Sequence, residues 1–146
     1  MAETIPQSRI QIVQTSDDYK NAIRLAAKPL VDENYIHLDY IQAIFESLER
    51  FGPYIILADD FALPHAQPSE LVLKTGLSLL VIKEGVDLLG QQIRLMIVLA
   101  AKNSTEHMDV LGGLAEFLME PQNIQDVIHA SSIHEIKEIL DERWNT

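Results

Sequence analysis

Five histidines hold all the imidazole chemistry of a chain that has no cysteine, so thiolate nucleophiles, thiolate metal sites and disulfides are excluded together. Their settings differ. His65 stands in "FALPHAQP" (61–68), directly after a proline. Proline locks its own φ and pushes the residue before it, Leu63, into an extended conformation. "ALPH" therefore reads as a stiff extended segment that delivers one imidazole to a fixed place. That ring could be packing at a strand end, a metal ligand or a nucleophile. His107 stands in "NSTEHMDVLGGLAEFL" (103–118), in the first turn of a helix that follows an apolar strand. Ligands of α/β sheets bind beyond the carboxyl ends of strands, where free N–H groups and the helix dipole favour an anion such as phosphate. The same field disfavours an imidazolium and keeps the ring neutral. The plain alternative is an exposed helix-start residue. His129 and His134 read as surface or capping residues of the last two helices, and His37 as a neighbour of a helix N-terminus.

Other chemistries are thinner. There is no HExxH, GxSxG, Walker loop or GxGxxG, and scattered acids around two histidines make a weak metal case. Gly112 and Gly113 lie inside a helical pattern and read as close packing. Asp59 and Asp60 read as exposed turn residues.

The elements that must position the two histidines follow from periodicity. "SRIQIVQ" (8–14) alternates and predicts a strand. A helix follows, capped by Thr15 or Ser16, with a stripe of Ala22, Ile23, Ala26 and Leu30; Pro29 should bend it or end it early. "LDYIQAIFESLERFGP" predicts a second helix with Ile41, Ile44, Phe45 and Leu48 on one face, stopped by Gly52 and Pro53. "YIILA" (54–58) predicts a buried strand, and "TGLSLLVIKE" (75–84) and "IRLMIVLAAK" (93–102) two more. Their continuous apolar runs suggest strands covered on both faces. The helix after them, capped by Asn103 or Ser104, should bury Met108, Leu111, Leu114, Ala115 and Leu118. "PQNIQDVIHA" opens with a proline suited to a first helical turn. "SIHEIKEILDERW" opens with Ser132 and Glu135 at capping-box spacing and turns Ile133, Ile136, Leu140 and Trp144 inward. The expected fold is α/β, a mixed central sheet sandwiched between helices, in one domain spanning residues 1–146.

Bulk composition narrows the function. Net charge is −11, so phosphate backbones are repelled and nucleic acid is not an expected partner, whereas a basic face on a protein partner is. The N-terminus lacks a basic head and a long apolar core, and "LMIVLAA" is far too short to span a bilayer, which points to a cytoplasmic location.

"ALPHA", with the later "NSTEHMDVLGGLAEFL", resembles the mannitol/fructose-type enzyme IIA domains of the bacterial phosphoenolpyruvate-dependent sugar phosphotransferase system. "RFGPYIILADDFALPHAQP" is especially similar to the ascorbate-like branch, and the resemblance covers nearly the whole chain. It implies a phosphocarrier. A histidine takes a phosphoryl group from the histidine-containing phosphocarrier protein and passes it to a cysteine or histidine of a IIB component. A membrane IIC component is involved indirectly, with ascorbate or a pentitol among the candidate sugars. By position, His65 matches the phosphorylated histidine and His107 the second active-site histidine; no cofactor and no metal are implied. Phe61, Leu63 and Pro64 would form an apolar collar round the site. Two departures stand out. Many mannitol-type members carry arginine sixteen residues before the active histidine, where this chain has Glu49, with Arg50 beside it. Ascorbate-like members tend to lack that arginine but often have one two residues after the histidine, where this chain has Gln67. A regulatory domain of the same fold, phosphorylated as a signal, is the alternative, and a small histidine-dependent hydrolase a third reading.

Overall fold

The computed structural model describes residues 5–144. After a short 3-10 turn at Gln7–Arg9 come β1 (Ile10–Val13), α1 (Tyr19–Asp32), α2 (Leu38–Phe51), β2 (Ile56–Ala58), β3 (Asp60–Ala62), β4 (Gly76–Leu88), β5 (Gln91–Ala100), α3 (Ser104–Leu118), α4 (Pro121–His129) and α5 (Ile133–Arg143). The strands form one mixed sheet in the order β1-β4-β5-β3-β2. β1 runs parallel to β4 and β3 parallel to β5, while β4/β5 and β2/β3 are antiparallel.

The apolar runs of β4 and β5 are long because each strand feeds two cores. Leu95, Ile97 and Leu99 join Phe117, Val127, Ile136, Leu140 and Trp144 beneath α3, α4 and α5. The alternate residues Met96, Val98 and Ala100 join Ala22, Ile23, Ile44 and Phe45 beneath α1 and α2. Burying each such large aliphatic side chain contributes about 2 kcal/mol before chain entropy is counted. The sheet is thus the middle layer of three, as the strand pattern predicts.

Several local expectations are corrected. The helix around Pro29 neither ends nor breaks there but runs to Asp32. Pro29 cannot donate to Leu25 O, but Gln11 Nε2 in β1 does so at 2.7 Å, so the freed carbonyl is not left wanting. The cap of α1 is Asp18, accepting from Asn21 N at 2.7 Å, rather than Thr15 or Ser16. "YIILA" is not a buried strand. Only Ile56–Ala58 pair, at the sheet edge, where one flank lacks a neighbour among the described residues, and Leu57 is exposed while Ile55 alone of the five is fully buried. β4 continues four residues past the expected end, to Leu88, through a register shift between Val81 and Val86 that takes in Gly85, whose φ of +79° suits a residue without Cβ. α3 buries Leu114 and Phe117, while Met108 and Ala115 face outward. Gly112 is not a packing glycine, since an added Cβ would meet nothing within 4 Å. Asp60 is no exposed turn residue: it opens β3, accepts from Gln125 Nε2 at 3.0 Å and lies 3.9 Å from Arg94. At α5, Ser132 Oγ accepts from Glu135 N as expected, but Glu135 reaches back to Ser131 rather than to Ser132.

Candidate active site

β3 ends at Ala62 and the chain continues extended as Leu63-Pro64-His65-Ala66 alongside the end of β5. Its polar backbone groups are tied down one after another. Leu63 N donates to Ile55 O at 2.8 Å, and Leu99 N donates to Pro64 O at 3.1 Å. Ala66 N donates to the Tyr40 hydroxyl at 3.0 Å, and that hydroxyl donates in turn to Leu99 O at 2.8 Å. Tyr40 is completely buried, and burial pushes its phenol up to about 12, so it remains a proton donor at any working pH. The Tyr54 hydroxyl donates to His65 O. The stiffness expected from "ALPH" is thus enforced from both sides.

The His65 ring is half-buried, with Nδ1 2.6 Å from Leu63 O. A carbonyl only accepts, so Nδ1 carries the proton and Nε2 holds the lone pair. Burial lowers the imidazole below its ordinary 6.5; the Leu63 carbonyl opposes the shift and His107 adds to it. The ring is therefore neutral near pH 7, as a nucleophile must be.

His107 arrives from the other strand end. Asn103 caps α3 by accepting from Glu106 N at 2.9 Å, and His107 N donates to Asn103 O at 3.0 Å, which closes the first turn. The His107 ring lies 5.6 Å from that of His65, centroid to centroid, tilted by 48°. Its Nδ1 is buried with no hydrogen-bond partner among the described residues. A buried lone pair without a partner costs less than a buried N–H without one, so the proton belongs on Nε2. One histidine thus offers a lone pair and its neighbour an N–H donor.

Both rings line a cleft of about 390 Å³, together with Ser47, Phe51, Tyr54, Ala66, Gln67 and Pro68. The collar is not the one expected. Phe61 and Leu63 are fully buried in the core beneath α3, α4 and α5. They point away from the cleft because they alternate with Ala62 on the pleated chain. The apolar wall is instead Phe51, Tyr54, Ala66 and Pro68. Arg50 stays outside the cleft, its guanidinium 5.2 Å above the Phe51 ring, in a neighbouring hollow that shares Gln67 and Pro68. His37 is the N-cap residue of α2 and makes no side-chain cap. His129 and His134 are exposed, on Gln125 O and beside Glu138.

Sequence reading missed Tyr40, Ser47, Phe51 and Tyr54. Ser47 and Phe51, four apart on α2, share a helix face, but one polar and one apolar residue make no stripe. Tyr54 had a visible cue: it follows Gly52 and Pro53, which stop α2 beside the cleft.

A neutral imidazole with one free nitrogen, next to a second imidazole at a helix start, is the equipment of a protein that carries a group on histidine. The family described as "Phosphoenolpyruvate-dependent sugar phosphotransferase system, EIIA 2" matches residues 3–143, and the chain belongs to it. It is a phosphotransferase component, and such components carry a phosphohistidine. It is 36% identical over 142 residues to the mannitol-specific cryptic phosphotransferase enzyme IIA component of Escherichia coli, covering 96% of this chain and 97% of that one. The ascorbate-specific EIIA component of Mycoplasma pneumoniae is 30% identical, covering 90% and 85%. Among solved structures, the solution structure of the cryptic Escherichia coli enzyme superposes with a TM-score of 0.88 at 36% identity, covering 94% of this chain and 95% of that one. The mannitol enzyme IIA of Escherichia coli, solved in complex with phosphorylated enzyme IIB, superposes with a TM-score of 0.80 at 29% identity, covering 93% and 96%. Among the described residues no helix is long and apolar enough to cross a membrane.

Proposed function

We propose that Nε2 of His65 accepts a phosphoryl group from the histidine-containing phosphocarrier protein and hands it to an enzyme IIB component. In this reading residues 1–146 act as one cytoplasmic enzyme IIA domain, and a membrane IIC component uses the group indirectly in coupled sugar uptake and phosphorylation. The observation that carries the reading is the tautomer: Nδ1–H held on Leu63 O leaves the Nε2 lone pair in a cleft beside His107. The structure of the Escherichia coli mannitol enzyme IIA with phosphorylated enzyme IIB supports IIB as partner.

The step needs positioning and charge stabilisation more than covalent help. The Nε2 lone pair forms the new N–P bond while the donor's N–P bond breaks, and the donor imidazole keeps that electron pair. The proton stays on Nδ1, hydrogen-bonded to Leu63 O, so no proton has to move within this chain. His107 Nε2–H donates to a phosphoryl oxygen as its charge rises. In onward transfer His65 is the leaving group and regains its lone pair. Phe51, Tyr54 and Pro68 flank the site and limit water access, which slows loss of the group by hydrolysis.

Incubation with phosphoenolpyruvate, enzyme I and the phosphocarrier protein, followed by mapping of the label, tests the reading. The label should be acid-labile, alkali-stable and on His65, and His65→Ala should fold and accept nothing. Full labelling of that variant would overturn the assignment.

A further inference from the structure

Two hydroxyls in the cleft have no part in that mechanism. Tyr54 is half-buried, with its ring 5.1 Å from that of His65 and edge-on to it at 77°. Its single proton is committed to His65 O, and Ser47 lines the same cleft. Toward this phenol Ser47 can act only as donor, because a phenol that donates to a carbonyl has only its lone pairs left. Burial raises the Tyr54 phenol above its ordinary 10.0, which keeps the donor in place. With its proton spent, the Tyr54 hydroxyl is not available to a phosphoryl oxygen.

We propose that Tyr54, oriented by Ser47, is the positioning residue of the phosphoryl-accepting histidine, and that it acts on His65 through the carbonyl and ring contacts without touching the reacting atoms. The proposal rests on the reading of His65 as the acceptor. Other anchors of this segment hold its neighbours: Leu63 N, Pro64 O, Ala66 N and Ala66 O. Among the described residues, the His65 carbonyl is held by Tyr54. The peptide on the C-terminal side of His65 is planar and is held at both polar atoms, its oxygen by Tyr54 and its Ala66 N–H by Tyr40; without Tyr54 it can rock about the Ala66 anchor and carry the ring with it. The short Nδ1–H contact to Leu63 O, which selects the tautomer, depends on the same torsions. Tyr54, with the α2 residue Phe51 edge-on to its ring, thereby ties that layer to the nucleophile.

The test uses the full chain with enzyme I and the phosphocarrier protein, comparing Tyr54→Phe and Ser47→Ala with the natural sequence. Initial rates of His65 phosphorylation are measured against phosphocarrier concentration, and ¹⁵N spectra of the imidazoles report the tautomer. Tyr54→Phe keeps the ring and the apolar wall, so KM should stay within about twofold while kcat falls about tenfold, the scale expected for small misplacement of a reacting group. The His65 spectrum should change from one tautomer to a mixture. Ser47→Ala should shift both readouts the same way by less, and it carries the test alone if Tyr54→Phe does not fold. Unchanged kcat, a loss confined to KM, or an unchanged His65 tautomer despite a lower melting temperature would overturn the proposal. Absence of label from His65 in the unsubstituted protein would instead overturn the acceptor assignment.

Discussion

Replacement of His107 by alanine separates the two histidines' roles. The cleft offers few donors to an arriving phosphoryl group. The Tyr54 hydroxyl is used on His65 O, which leaves the side chains of His107 and Ser47 and the exposed Gln67 amide. Losing one preorganised donor to a charge that grows in the transition state costs about 3 kcal/mol, or on the order of a hundredfold in rate. His107→Ala should therefore still become phosphorylated on His65, about a hundredfold slower, and transfer to IIB should slow as well. His107→Gln should be milder, because its amide restores an N–H. Stability should change little, since the lost Nδ1 has no hydrogen-bond partner among the described residues. Quench-flow measurements in both directions, with His65→Ala as the zero, give the answer. Wild-type rates for His107→Ala both ways would reduce His107 to a helix-start residue and refute the two-histidine site.

Two further outcomes follow from the same geometry. Tyr40→Phe strands the buried Ala66 N–H and takes a donor from Leu99 O, costing about 2 kcal/mol, or about 5 °C in melting temperature for a chain of this size; a melting curve within 1 °C of the natural protein would show that the hydroxyl anchors nothing. The His65 imidazole should titrate below its ordinary 6.5 in an NMR pH series. The unfolded chain then takes up this proton at higher pH than the folded one, so the group's contribution to stability is complete above 6.5 and is lost as pH falls through the lowered folded value. Phosphorylation by a neutral nucleophile should correspondingly hold its rate down through pH 6.5, and a His65 midpoint at or above 6.5 would contradict the burial argument.

Where the sequence was legible, one rule acted alone. Unbroken apolar runs mean strands with two buried faces, and β4 and β5 obey because α1 and α2 cover one side and α3, α4 and α5 the other. Where it was not, a distant residue changed the local balance. Pro29 stays inside α1 because Gln11, from a strand eighteen residues earlier, supplies the hydrogen bond that proline removes. "YIILA" has the composition of a central strand but takes the sheet edge, and strand order is not written in composition. Met108 fits the period of a buried stripe, yet it lies in the first turns of α3, next to the cleft-lining His107, where no layer covers the helix.

The site itself divides along the same line. Proline before His65 and a helix start before His107 are local facts, and each marks its histidine as held in place. That the two meet is a property of the sheet. β3 lies beside β5 and parallel to it, so both strands deliver their carboxyl ends to one edge. His65 follows β3 by three residues and His107 follows β5 by seven, short enough for both rings to stay at that edge. An antiparallel pairing of the same two strands would have sent them to opposite ends of the sheet. The anchors that give His65 its tautomer were the least visible part, because most of their acceptors are backbone carbonyls: Leu63 O, His65 O, Leu99 O and Ile55 O. Every residue type carries such a carbonyl, so nothing in the chain's spelling distinguishes the one that sets the reactive nitrogen.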